Sequence, residues 1–194
     1  RGRISGTVLD SIRAEGPLAG ATVQLEGHGP VATTDERGRF RFSGVPAGRY
    51  RATFFHPWLD SIKTSAPVFQ LDVSDGRTTT AVLATPSWRA LSSFLCRRPL
   101  DRALSVLYGQ ARSAEDDRAL VGAQARVEWF EWSVGAGADI QRGRRMLEAR
   151  SDSLGEFAFC GVPNDVEVTL RVSMDSQSTG QVDLMLAGEP LLWR

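Results

Sequence analysis

The chain has 194 residues, with 23 Lys/Arg balancing 23 Asp/Glu. Zero formal charge argues against nucleic acid as the main partner, because such proteins carry a basic excess. No apolar run approaches the roughly 20 residues that a bilayer crossing needs. The charge is unevenly spread: residues 1–84 hold ten basic against eight acidic side chains, residues 101–188 nine against fourteen. Every basic residue except Lys63 is arginine, and Asn164 is the only asparagine. This reads as the codon bias of a GC-rich bacterial genome rather than as arginine selected for phosphate recognition.

The chain begins almost inside its first strand, at Arg1-Gly2-Arg3-Ile4, with no signal peptide legible. That leaves room for a removed signal segment or another domain upstream. Ile4 to Asp10 alternates, placing Ile4, Gly6 and Val8 on one face. Ser11 to Leu18 is polar, contains Gly16-Pro17 and reads as a loop. Ala19 to Leu25 is a second strand, Gly27-His28-Gly29-Pro30 a turn, and Val31 to Thr34 returns.

The stretch from Asp35 to Pro46 then occurs twice, its second copy running from Asp152 to Pro163. Both read D-x-x-G-x-F-x-F-x-G-V-P, which is a turn, a strand and another turn. Asp bonds its own backbone two residues on, and Gly supplies the positive φ of a tight turn. Phe40 and Phe42, like Phe157 and Phe159, share one face by strand alternation. Gly-Val-Pro stops the strand. Arg49 to Phe54, Val68 to Val73 and Thr78 to Leu83 supply further strands, the last two around the turn Ser74-Asp75-Gly76. Seven short strands between turn signals predict a β-sandwich over residues 1–84.

Thr85-Pro86 is a helix start, with Thr85 as N-cap. Trp88, Leu91 and Leu95 fall on one face of the helix that follows, so residues 85–100 are predicted to be a linker helix packed against the sandwiches. The second unit, 101–188, repeats the first in order: Leu107 to Ala111, then Val121 to Val127, then the duplicated motif. Extra residues around Trp129 to Arg145 extend a hairpin with its tip near Gly135-Ala136-Gly137. Val166 to Val172 and Gln181 to Leu186 close the unit, and the tail 189–194 has no evident strand partner. The predicted fold class is all-β: two tandem seven-stranded Greek-key sandwiches joined by a short helix.

With I-x-G-x-V, A-G-A-x-V-x-L and D-x-x-G-x-F-x-F-x-G-V-P-x-G-x-Y in that order, residues 3–84 resemble the carboxypeptidase regulatory-like domain family. Residues 104–187 are similar more weakly, since Asn164-Asp165 replaces the Ala-Gly after the proline. The resemblance implies a transthyretin-like Greek-key sandwich. It also implies a non-catalytic accessory role, usually in an exported protein, with no shared catalytic residues.

An enzyme needs converging groups of matched pKa. His28 in a Gly-rich turn and His56 in Phe55-His56-Pro57-Trp58 have no partners at zinc-ligand spacing. Asp35 and Asp152 are explained by their turns, without a string of calcium ligands. The sequence therefore assigns no catalytic residue, metal site or cofactor. Cys96 and Cys160, the only cysteines, form a disulfide if the chain is exported, or remain two buried thiols.

Two surfaces are candidates for partner binding. Arg39 and Arg41 face away from Phe40 and Phe42, and Arg49 and Arg51 away from Tyr50 and Ala52. If those strands pair, four arginines share one outer face. Either neighbouring carboxylates such as Glu26 and Asp72 neutralise them, or an acidic partner or lipid headgroups do. In Val127 to Trp132 the inward set continues to Trp129, leaving Phe130 and Trp132 on the opposite face with Met146. They are either a contact patch, since Trp is enriched at interface hot spots, or rings folded back onto their own domain. The sequence reading is an accessory or scaffolding subunit in the periplasm or at the cell surface, bound to other protein subunits of a membrane-associated assembly. It has no transmembrane segment of its own. The alternative is a carbohydrate-binding module.

Overall fold

The computed structural model describes residues 1–13, 16–134, 140–175, 177–188 and 190–193. It divides into two compact units, Arg1–Leu95 and Cys96–Arg194. In the first, the elements are β1 (Gly2–Asp10), β2 (Gly16–Pro17), β3 (Thr22–Leu25), β4 (His28–Thr33), β5 (Arg39–Val45), β6 (Gly48–Phe55), α1 (Pro57–Ser61), β7 (Phe69–Val73), β8 (Thr78–Ala84) and all but the last residue of α2 (Trp88–Cys96), Cys96 opening the second unit. One sheet centres on β1, which pairs antiparallel with β5, parallel with β8 and briefly with β2. The other sheet runs β4-β3-β6-β7.

The second unit contains β9 (Leu104–Gln110), β10 (Gln124–Val134), β11 (Ile140–Arg150), β12 (Glu156–Pro163), β13 (Glu167–Met174), β14 (Gln177–Ser178), β15 (Val182–Met185) and β16 (Leu191–Trp193). Its pairing repeats the first. β9 lies between antiparallel β12 and parallel β16, and the facing sheet runs β11-β10-β13 with β15 and the two-residue β14 beyond. Each unit is thus a seven-stranded sandwich with one two-residue strand added. The apolar residues of both sheets meet inside. In the second unit Leu107, Phe157 and Phe159 face Val127, Trp129, Val168 and Leu170 across a single buried core.

The duplicated motif folds the same way twice. Asp35 Oδ1 accepts the N–H groups of Arg37 and Arg39, and Asp152 Oδ1 those of Leu154 and Glu156. Gly38 and Gly155 have φ of +68° and +76°, and a Cβ there would lie 2.6 and 2.5 Å from the carbonyl oxygens of Val8 and Ala111. Only glycine fits both the angle and that approach. The paired rings of the motif meet edge to face, at 6.0 Å for Phe40 and Phe42 and 5.7 Å for Phe157 and Phe159.

Several expectations are corrected. The tail pairs: β16 runs parallel to β9, where β8 runs parallel to β1. The turn placed at Gly27 to Pro30 is only Glu26-Gly27, because β4 starts at His28. The linker helix starts at Trp88, not Pro86. Thr85 continues the β1 ladder by donating its N–H to Leu9 O, and its hydroxyl accepts the Ser11 N–H at 2.8 Å. Ser87 caps instead, its Oγ accepting from Ala90 N. A short helix, α1, follows β6 at a stretch to which the sequence assigned no element. The predicted hairpin tip, 135–137, lies outside the described residues.

Candidate functional site

The extended hairpin is β10 and β11, paired through eleven consecutive positions from Gln124↔Arg150 to Val134↔Ile140. On its other side β10 pairs with β13 only as far as Trp129. From Phe130 onward the two strands pair only with each other among the described residues, so the hairpin overhangs the sheet. Alternation then divides its side chains. Trp129 points inward, is buried, and donates its indole N–H to Glu131 Oε1 at 3.1 Å. Phe130, Trp132 and Val134, with Ile140 and Met146 opposite, occupy the outer face.

These five side chains are 46, 69, 75, 72 and 50% exposed in that order. The structure therefore brings Phe130, Trp132 and Met146 to one solvent-facing surface and does not fold the rings back. The guanidinium of Arg142, directly across from Trp132, lies 3.6 Å from the Phe130 ring centre and 5.8 Å from that of Trp132. Val134, Ile140 and Arg142 were not singled out from the sequence. They were readable there once the register was known, because each falls an even number of residues from Phe130 or its cross-strand partner.

Next to the aromatic rows lies a polar groove of about 320 Å³ lined by Arg126, Glu128, Arg144, Glu148, Thr169 and Arg171. Arg126 pairs with Glu148 and Arg144 with Glu128. On the inward side of the hairpin Arg145 pairs with Glu131 at 2.9 Å. The hydrogen bond from Arg144 first, then nearby arginine charge, holds the Glu128 carboxyl below the usual range. Glu131 is lowered likewise, by the Trp129 indole first and then by Arg145.

The four arginines of the first unit do not share a face. β5 belongs to the β1 sheet and β6 to the β3 sheet, so Arg39 and Arg41 are on one sheet and Arg49 and Arg51 on the other. Arg39 pairs with Asp35, Arg49 with Asp72 and Arg51 with Glu26. Arg41 has no ion-pair partner among the described residues. The neighbouring carboxylates anticipated from the sequence are thus present for Arg49 and Arg51, and the premise of a single basic face fails.

Cys96 and Cys160 are joined in a disulfide, with Cα atoms 5.9 Å apart. His56 caps α1: its Nδ1 accepts the Trp58 N–H at 3.2 Å, so Nε2 carries the proton and donates to Ala19 O at 3.1 Å. Both ring nitrogens are used by the fold. The His28 side chain is outside what the structure describes.

Residues 3–84 match the carboxypeptidase regulatory-like domain. The match ends before the helix and does not extend to the second unit. No curated protein sequence matches the chain. Among solved structures, the Bacillus anthracis TIE protein is similar at 13% identity and a TM-score of 0.41, over 100% of this chain and 33% of that one. The chain thus spans about a third of that protein's length. The shaft pilin SpaA of Lactobacillus rhamnosus GG is similar at 10% identity and a TM-score of 0.35, over 98% of this chain and 95% of that one. The minor pilin GBS52 of Streptococcus agalactiae gives 12% and 0.35, over 100% and 94%.

Proposed function

We propose that this chain is a non-catalytic interaction protein that binds a protein partner through the outer face of its second-unit hairpin. The observation that carries this reading is the apolar row of Phe130, Trp132, Val134, Ile140 and Met146, exposed on two strands that leave their sheet. A surface of this kind is costly to leave in water, and rows of large apolar side chains mark contact sites. An exposed apolar contact surface suits an accessory or scaffolding subunit of a membrane-associated assembly, and the disulfide suits an oxidising compartment, the periplasm or cell surface. No helix among the described residues is long and apolar enough to cross a membrane. The second unit, which repeats the pairing of the first, is on this reading a diverged copy of the same domain.

The test is F130S/W132S in the full chain. Partner recovery by crosslinking from native membranes should fall at least ten-fold, with both melting transitions within about 2 °C of the parent, as for exposed substitutions. A collapse in melting temperature would assign the rings to the fold instead.

Carbohydrate binding is the second reading, supported by the 69% exposed Trp132. Arg142 already covers a face of Phe130, which leaves Trp132 as the open stacking surface. Saturable quenching of tryptophan fluorescence by one sugar class, abolished in W132S, would favour this reading over the first.

A further inference from the structure

The aromatic face is one side of the hairpin, and the strand edge beside it is open. β11 pairs with β10 alone among the described residues. Its other edge therefore presents a row of N–H and C=O groups with no strand against them. The first unit supplies an internal comparison. There the corresponding edge strand, β4, is six residues long, contains Pro30 and is paired through a register break between Gln24 and Leu25. Short length, proline and an irregular register are the devices that keep an edge from pairing with another chain. β11 has none of them. It is eleven residues long, contains no proline and keeps register with β10 throughout.

What does guard β11 is charge, and the charge has a sign. Ile140–Arg150 carries Arg142, Arg144, Arg145 and Arg150 against Glu148. Arg144 and Arg145 are neutralised from within, by Glu128 and Glu131. Arg142 and Arg150 have no carboxylate partner among the described residues, and both are on the outer face. A second copy of the same edge would bring like charges together. An acidic strand would be paired at those two positions and would meet Ile140 and Met146 on the same face. On the inward face, Leu147 and Ala149 are half-buried against the core and would be covered further by an apolar neighbour.

We infer that the β11 edge takes up an extended, acidic segment of a partner protein as an added strand. Main-chain bonds along 140–150 would hold the segment, and Arg142 and Arg150 would select its charge. This names the mode and chemistry of the contact under "Proposed function" and rests on that reading.

The probes are three nine-residue synthetic peptides on the full chain: alternating Glu and Val, alternating Lys and Val, and the Glu/Val peptide N-methylated at every second residue. Hydrogen–deuterium exchange at the 140–150 amides and titration of binding are the readouts. The Glu/Val peptide should slow exchange in β11 and bind at least ten-fold tighter than its Lys counterpart. That preference should disappear in R142E/R150E, and the N-methylated peptide should protect nothing.

Equal binding of the N-methylated peptide would overturn strand addition in favour of side-chain contact. So would a failure of every peptide to protect β11, or protection that rises with the concentration of the chain alone and so marks a second copy. The two proposals separate cleanly. If F130S/W132S loses its membrane partner while no peptide protects β11, the aromatic surface stands and strand addition falls. If that variant keeps its partner while the Glu/Val peptide still protects β11, the strand edge stands and the aromatic reading falls.

Discussion

Thr34 and Ser151 precede the aspartate of the duplicated turn, and each hydroxyl bridges two backbone groups that have no other hydrogen-bond partner among the described residues. Thr34 Oγ1 donates to Leu18 O at 2.7 Å and accepts from Ala21 N at 2.9 Å. Ser151 Oγ donates to Leu120 O and accepts from Ala123 N at 2.9 Å. Both residues are 5% exposed, so deleting the oxygen strands a buried donor and acceptor. T34V, which keeps the shape, should lose about 1–3 kcal/mol, and S151A a similar amount. Each loss should appear in hydrogen exchange of its own unit and leave the other unchanged, since the two sites share no partner. Gly6 is a second such position. A Cβ there would lie 2.5 Å from both Ala81 O and the Phe40 ring, so Gly6→Ala should destabilise the first unit by about 1–3 kcal/mol in a thermal or denaturant titration.

At the scale of elements, the parts legible in the sequence were those written by local rules. The duplicated turn was readable because Asp35 and Asp152 bond amides two and four residues on, and the Phe-x-Phe pairs because alternation fixes their face. The hydroxyl staple was present in both copies as Thr34-Asp35 and Ser151-Asp152 but has no meaning until the loops it bridges are placed. Sheet membership was not legible: β5 and β6 follow each other in sequence yet belong to different sheets, which is what divided the four arginines. The three-residue β16 was missed because its pairing with β9 bridges more than 80 residues of sequence, which periodicity does not encode.

The hairpin itself was legible from the length difference between copies, and its ion pairs give it a pH dependence of known sign. The folded-state pKa values of Glu128 and Glu131 are depressed. Their contribution is therefore complete above the unfolded carboxylate pKa, about 4, and is lost as pH falls through the lower folded values. The side-chain resonances of both glutamates should titrate below those of an exposed glutamate. Midpoints in the ordinary range would show that the bonds from Arg144 to Glu128, and from the Trp129 indole and Arg145 to Glu131, do not persist in solution.

For the whole molecule, the two units have the same strand pairing but are held differently. The first closes through β8 on β1 over seven register positions, from Arg3↔Thr78 to Leu9↔Ala84. Among the described residues the second closes through β16 on β9 over three, Leu191↔Val106 to Trp193↔Tyr108. The disulfide lies beside that seam: Cys160 is in β12, the other neighbour of β9, and is bonded to Cys96 at the start of the unit. Its 64-residue separation corresponds to about 4 kcal/mol of unfolded-state constraint in the chain-entropy model. Removing it should therefore act on one unit only. In C96S/C160S, calorimetry should show the second unit melting well below the first, with the first transition unmoved, and exchange at β9, β12 and β16 should accelerate. A variant in which both transitions fall together would mean that the units unfold as one cooperative body and that the bond stabilises the whole chain.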